Sequence, residues 1–242
     1  MEINIVFEDK SLLVADKPAG IIVFREDEGG EKTLIDLLLE KFPDLKNVGE
    51  APRHGIVHRL DKDTSGLLLV AKNNETLFFL QEQFQQRKVI KKYIALVSGE
   101  IKNEKGIIDT LIGRGLKDRK KQKVYLPFEP NAKGKRKAIT EYRVLKRLVD
   151  KKQNKYTLIE ADIKTGRKHQ IRVHFQYLNH PICKDKMYSF KSQVMPDGLN
   201  RQFLHATYLK IKIPDGSEKE FESKLPQDLN SVLNNLKEVS KQ

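Results

Sequence analysis

Apolar positions along the chain fall into short runs with two distinct periods. Ile3 to Phe7 and Ser11 to Ala15 flank the polar Glu8-Asp9-Lys10, a pattern that predicts a β-hairpin. Lys17-Pro18-Ala19-Gly20 forces a turn before a third apolar run, Ile21 to Phe24. Thr33 is placed to cap a helix through Phe42, with Leu34, Leu37 and Leu38 on one face and Pro43 ending it. Residues 43–57 hold no such period and are expected to be loop-rich. Leu67 to Val70 is a short, fully apolar run suited to a buried strand.

The second half continues the alternation. Asn73 or Asn74 caps a helix to about Arg87, whose Leu77, Leu80 and Phe84 recur at helical spacing and belong to a core. Val89 to Ser98 alternates as a strand, and 138–147 and 156–164 are β-branched stretches expected to pair. Residues 170–178 predict a short helix, 203–213 a strand, and Leu229, Val232, Leu233 and Leu236 an amphipathic helix over about 226–239. Hairpin-like strand order with few intervening helices predicts an α+β fold, a mostly antiparallel mixed β-sheet core flanked by helices and loops. No linker, repeat or break in composition splits the 242 residues, so a single domain is expected.

Charge adds the first functional information. Lys and Arg number 46 against 33 Asp and Glu, a net +13, which favours a polyanionic partner, nucleic acid first and an anionic membrane surface second. Two basic clusters, Lys117 to Lys123 and Lys133 to Lys137, flank a loop holding Pro127, Pro130 and Gly134; they serve either as a solvated loop or as phosphate contacts. The single cysteine, Cys183, fits a reducing compartment and a small buried residue. Met1 to Glu8 is too acidic and too short in apolar residues for a signal peptide, and no run approaches the ~18 apolar residues of a membrane span. A cytoplasmic monomer with no membrane association is expected.

The most informative segment is His58-Arg59-Leu60-Asp61-Lys62-Asp63-Thr64-Ser65-Gly66, a polar loop with a carboxylate between two basic residues that feeds a buried strand. A carboxylate so fixed acts as acid, base or nucleophile, and the competing reading is a turn in which Asp63, Thr64 and Ser65 bond to nearby backbone. His54 and His58 are four apart, yet Gly55 interrupts the pattern and no third ligand is evident, so no metal is expected. His169 and His174 are expected to serve packing or contact with a nucleic-acid partner.

His-Arg-Leu-Asp-x-x-Thr-Ser-Gly followed by Leu-Leu-Leu-Val-Ala-Lys resembles the active-site signature of the RluA-type RNA pseudouridine synthases. Lys91 to Gly99 is similar to that family's Lys-x-Tyr-x-Ala strand, and Thr165 to His174 to its Thr-Gly-Arg-x-His-Gln-Ile-Arg-x-His segment. Ile108 to Arg114 (with Leu111 in place of a proline), His180 to Ile182 and Gln202 to Ala206 also fall where the family has similar sequence. The resemblance implies that the essential aspartate is Asp61, the active-site tyrosine Tyr93 and the basic partner Arg172. Asp61 would either attack C1′ or remove the 2′ proton, and both routes fit the residues. Arg172 would keep it anionic, and Tyr93 would pack on the uracil and help the C5 proton leave.

By the same resemblance Arg59 fills the space vacated when the target uridine leaves the stack. The residues expected at the RNA are His58, Arg59 and Arg167, with Lys120, Lys121, Lys135 and Arg136 on phosphates. The partner is structured RNA, ribosomal or transfer, and the isomerisation requires no cofactor. The family pattern begins near residue 8, so the N-terminal RNA-binding domain of the S4 type that many members carry is not expected. Two other classes stand beside this reading. The spacing of Asp61 and Asp63, about 7 Å on an extended segment, does not by itself exclude a hydrolase of N-glycosidic bonds, against which the rest of the family pattern argues. A non-catalytic RNA-binding module of this fold is opposed by the presence of Asp61, Tyr93 and Arg172.

Overall fold

The computed structural model describes residues 3–25, 30–116 and 118–239. Lys117 of the first basic cluster, and Met1 and Glu2 of the N-terminal segment, lie outside the described residues. Along the chain run β1 (Asn4–Glu8), β2 (Leu12–Lys17), α1 (Leu34–Lys41), a 3-10 turn (Pro43–Asn47), β3 (Ser65–Ala71), α2 (Asn74–Gln85) and β4 (Ile90–Ser98). There follow β5 (Lys105–Arg114), β6 (Gln122–Tyr125), β7 (Arg136–Val149), β8 (Lys155–Ile163), α3 (Gln170–Tyr177), β9 (Leu204–Lys212), β10 (Glu218–Glu222), α4 (Gln227–Asn234) and β11 (Lys237–Glu238). The fold is α+β, and the chain divides into two compact units, residues 1–91 with 206–224 and residues 92–205 with 225–242.

In the first unit β1 and β2 form the expected hairpin, and β2, β3, β9 and β10 follow in order. Every residue of β3 is buried, which is why its sequence is an unbroken apolar run rather than an alternation. Leu67 and Leu69 pack with Leu12, Leu77, Leu80 and Leu209, and Phe84 leans against the same cluster, so the stripe on α2 is core. Gly66 has φ +116, and a Cβ there would lie 2.2 Å from the Ala206 carbonyl oxygen; only glycine permits this approach.

Thr33 and Asp36 close a reciprocal capping box at the start of α1, an arrangement whose loss costs about 1 kcal/mol. The apolar run 21–24 forms no strand. Its carbonyls at Ile22 and Val23 accept the N–H groups of Leu34 and Ile35, two donors that α1 itself leaves without partners. At α2 the cap is Asn73, whose side chain accepts the Thr76 N–H. The Asn74 side chain instead accepts the Gly49 N–H at 2.7 Å, pinning the loop after the 3-10 turn.

In the second unit the strand order is β4, β8, β7, β5, β6, with β11 also on β7. The sequence pattern does not announce β6, a four-residue strand that buries only Val124 and Tyr125. β10 is likewise polar, burying Phe221 alone. The C-terminal helix is shorter than the periodicity predicts: α4 ends at Asn234, and Lys237 and Glu238 pair with Val149 and Leu148. Leu236 still packs on the core formed by Leu148, Leu158, Phe203 and Leu229, so its apolar character reports burial and not helix. Cys183 sits in that core, fully buried, and burial pushes its thiol up.

α3 is fastened to β7 through side chains. The Gln170 amide donates to the Ile139 carbonyl and the Thr140 hydroxyl, while its oxygen accepts from Thr165 and from the Arg167 N–H. One turn on, the buried His174 bridges Thr140 at 2.8 Å and Thr110 at 3.1 Å. Burial holds this ring down at about 4, with Asp109 opposing weakly. It is therefore neutral in the fold but takes up a proton on unfolding below about pH 6.5. Stability should be complete above pH 6.5 and fall progressively toward pH 4, by up to about 3 kcal/mol from this group. Urea unfolding at pH 7, 6, 5 and 4.5 checks this, and a His174→Asn variant should show a shallower decline. An identical pH dependence in the variant removes the assignment.

Candidate active site

The loop that carries Asp61 is held at several points within the first unit. His58 stacks on Phe84 with ring centroids 5.0 Å apart, and its Nε2 accepts the Leu69 N–H at 3.0 Å. Burial, aided by the Lys91 ammonium, keeps this histidine down at about 3, so it stays a neutral acceptor. Leu60 is buried, and the Thr64 N–H donates to the Asp61 carbonyl at 3.1 Å. Asp61 itself is half-buried.

A residue that sequence reading took only as part of a turn is central to this arrangement. Lys17 is fully buried, and its ammonium donates to the carbonyls of Pro18 and Ile21 at 2.8 Å and of Lys62 at 3.0 Å. The Gly20 N–H reaches the same Lys62 carbonyl at 2.9 Å. The turn 18–21 is thereby sewn to the residue next to Asp61. A buried ammonium survives because all three donors are used, and each such charged bond is worth roughly 1.5–3 kcal/mol. The only signal in the sequence is the Lys-Pro-x-Gly spacing, which announces a turn and says nothing of where the ammonium goes.

Arg59 is exposed, and its guanidinium lies 5.1 Å from the centroid of Phe24; Arg53, also exposed, lies 5.0 Å from the same ring. Phe24 is itself buried, so it offers both cations a fixed apolar platform. The structure thus brings His58, Arg59 and Asp61 together in one unit but gives them different surroundings. His58 is turned to packing, and Arg59 is displayed.

Tyr93 and Arg172 belong to the second unit. Tyr93 is buried on β4 opposite Ala161 of β8. Arg172 lies on α3, which His169 enters at φ 58. With Gln170 and His174 committed to β7, Arg172 takes another face. Its Nε and one terminal nitrogen make a two-pronged pair with Asp185, at 2.6 and 2.8 Å. Asp185 is completed by the N–H groups of Met187 and Tyr188, at 2.9 and 3.1 Å. The Tyr188 ring lies 5.1 Å from the Arg172 guanidinium carbon, and its hydroxyl accepts the Gln122 N–H and meets His169 Nδ1, both at 2.8 Å. Asp185 went unnoticed in the sequence because Lys184-Asp185-Lys186 reads as ordinary surface charge.

The other cations expected at RNA also lie in the second unit. Arg167 is half-buried and spends its Nε on the Lys137 carbonyl at 2.9 Å. Lys120 is exposed on the turn between β5 and β6, with Lys121 half-buried beside it. Lys135 is half-buried, and Arg136 is the exposed first residue of β7 and so lies outside the loop proper. Among the described residues, no group of three His, Cys, Asp or Glu is placed to hold a metal, and no helix is long and apolar enough to cross a membrane.

Residues 11–177 match the family described as RNA pseudouridylate synthase. The chain is 41% identical to an uncharacterized RNA pseudouridine synthase of Aquifex aeolicus, over 98% of its own length and 74% of the relative's. It is 39% identical to the ribosomal large subunit pseudouridine synthase D of Nitrosomonas europaea, over 98% of this chain and 66% of that one. Among solved structures, human RNA pseudouridylate synthase domain containing 1 superposes with a TM-score of 0.79 at 27% identity, covering 99% of this chain and 89% of the other.

Proposed function

The chain belongs to the RNA pseudouridylate synthase family, in agreement with the RluA-type motifs it carries, and from that premise we propose which groups perform the isomerisation and on what RNA. The reaction breaks the bond between N1 of uracil and C1′, turns the base, and joins C5 to C1′. The proton lost from C5 is balanced by one gained at N1, so no electrons enter or leave. Asp61 supplies the carboxylate, as nucleophile toward C1′ or as base toward the 2′ proton. The observation that carries this assignment is the fastening of its loop by Lys17, His58, Leu60 and Thr64. A reacting group held by its backbone on both sides loses little further freedom on meeting substrate.

Tyr93 is assigned to the uracil ring and Arg172 to the positive charge that favours an ionised aspartate, both from the resemblance. His58 is reassigned to positioning, because its ring is used by Phe84 and Leu69. Lys120, Lys121, Lys135, Arg136 and Arg167 are read as phosphate contacts, which set affinity without reading sequence. The family match runs through both compact units, which supports reading them as parts of one catalytic domain. Large-subunit ribosomal RNA is the target class favoured here, since relatives 37–39% identical bear that name. Transfer RNA is the alternative. Pseudouridine mapping of both RNA classes with and without the protein tests the choice; a lost site confined to transfer RNA overturns it.

Arg59 is proposed to leave Phe24 and occupy the gap opened by the departing uridine. Unstacking a base costs a few kcal/mol and less when it is already unpaired. Arg59→Ala should therefore slow the single-turnover reaction on a stem-loop about 10-fold or more, and far less on an unstructured RNA holding the same uridine. Equal fractional losses on the two RNAs would leave Arg59 as a phosphate contact only.

A further inference from the structure

The segment joining β6 to β7 has a construction that an ordinary solvated loop does not need. Both strands neighbour β5, on opposite sides, so residues 126–135 must cross β5 to connect them. The Lys135 side chain lies over Gly113, where a Cβ would stand 2.3 Å from it. The Lys135 ammonium then settles 4.8 Å from the centroid of the buried Tyr125, whose hydroxyl is tied to the Arg114 carbonyl at 2.8 Å. Within the crossing, three successive turns close through Glu129 N–H to Leu126, Ala132 N–H to Glu129 and Lys135 N–H to Ala132, at 2.9 to 3.0 Å.

This braced crossing displays an aromatic ring. Phe128 is 82% exposed, the most exposed of the large apolar side chains described. Residues 119–136 hold seven Lys or Arg and one acid, Glu129, whose carboxylate is used by the Leu126 N–H at 3.1 Å. An apolar ring amid such an excess of cations suits one occupant, an unpaired nucleotide, whose base has a π-face for the ring and whose phosphate has a charge for the lysines. A double-stranded segment would offer phosphates but no free base face.

We propose that Phe128 is a stacking platform for an unpaired base of the substrate RNA, distinct from the target uridine. This rests on the reading of the chain as an RNA-modifying enzyme and adds a selectivity for RNA that offers a single-stranded nucleotide besides the target. The chain contains no tryptophan, so Phe128→Trp introduces a lone reporter. Its emission should be quenched by an oligouridylate or a bulged stem, and hardly by a blunt RNA duplex of equal charge. Phe128→Ala should weaken binding of the unpaired RNAs by roughly 5- to 150-fold, the range found for loss of one stacked base. Duplex affinity and the salt dependence should stay unchanged because the cations remain, and Phe128→Trp should bind like the parent.

Pseudouridine formation by the unaltered enzyme is measured on the same RNAs, so a failed platform and a failed activity are read separately. Emission from Phe128→Trp that is indifferent to unpaired RNA, or equal losses of affinity for unpaired and duplex RNA in Phe128→Ala, overturns the platform.

Discussion

Asp61→Asn is expected to abolish pseudouridine formation, lowering the single-turnover rate by on the order of 10⁴-fold or more, while RNA affinity stays within a few-fold. The amide keeps the size of the carboxyl but lacks the negative charge that attacks carbon or takes a proton. The variant keeps the loop contacts made by the Lys62 and Asp61 carbonyls, the Leu60 side chain and the His58 ring. Tritium release from 5-tritiated uridine in RNA reports the chemical step, and filter binding reports affinity. Appreciable turnover by the variant would contradict the role. A collapse of binding would show that Asp61 shapes the RNA site instead.

The largest structural effect is expected at Asp185. The Arg172–Asp185 pair is deeply enclosed, with side chains 6% and 0% exposed. Asp185→Ala leaves a buried guanidinium without its two-pronged partner and strands the N–H groups of Met187 and Tyr188. Breaking a buried pair from one side costs about 3–5 kcal/mol, so Tm should fall by roughly 6–20 °C. Removing both charges, as Arg172→Met with Asp185→Leu, should recover the part of that loss due to the unpaired guanidinium, while the Met187 and Tyr188 N–H groups still lack their acceptor. The double variant should nonetheless be inactive, because the cation assigned to the reaction is gone. Thermal unfolding and tritium release on both variants separate the two effects. An unchanged Tm in Asp185→Ala would refute the stabilising role of the pair, and parental activity in the double variant would refute the role of Arg172.

Features written within a few residues were legible in the sequence. The uninterrupted apolar run from Leu67 to Val70 announced a buried strand, Thr33 a capped helix, and Leu77, Leu80 and Phe84 a core-facing stripe. Each is a local rule of period or capping, complete within one or two turns of chain. The order of the motifs around Asp61, Tyr93 and Arg172 likewise gave the family before any geometry was known.

What the tertiary structure decided were the partners. Asn73 and Asn74 are both acceptable caps by type, and the choice fell to Gly49, which took Asn74 from 25 positions away. His58 is a neutral acceptor for Leu69, a partner that only the fold supplies, because it laid Phe84 against the ring. Lys17 reads as part of a turn and Asp185 as an ordinary surface charge. They are buried because Lys62 supplies a carbonyl 45 positions from one and Arg172 a guanidinium 13 positions from the other. Desolvating a charge is costly unless its partners are already in place, and those partners are fixed by the fold rather than by neighbours in the chain. Sequence therefore determined the family and those elements whose pattern is local, and tertiary structure determined which polar side chains hold the loop of Asp61 and the helix of Arg172 in place.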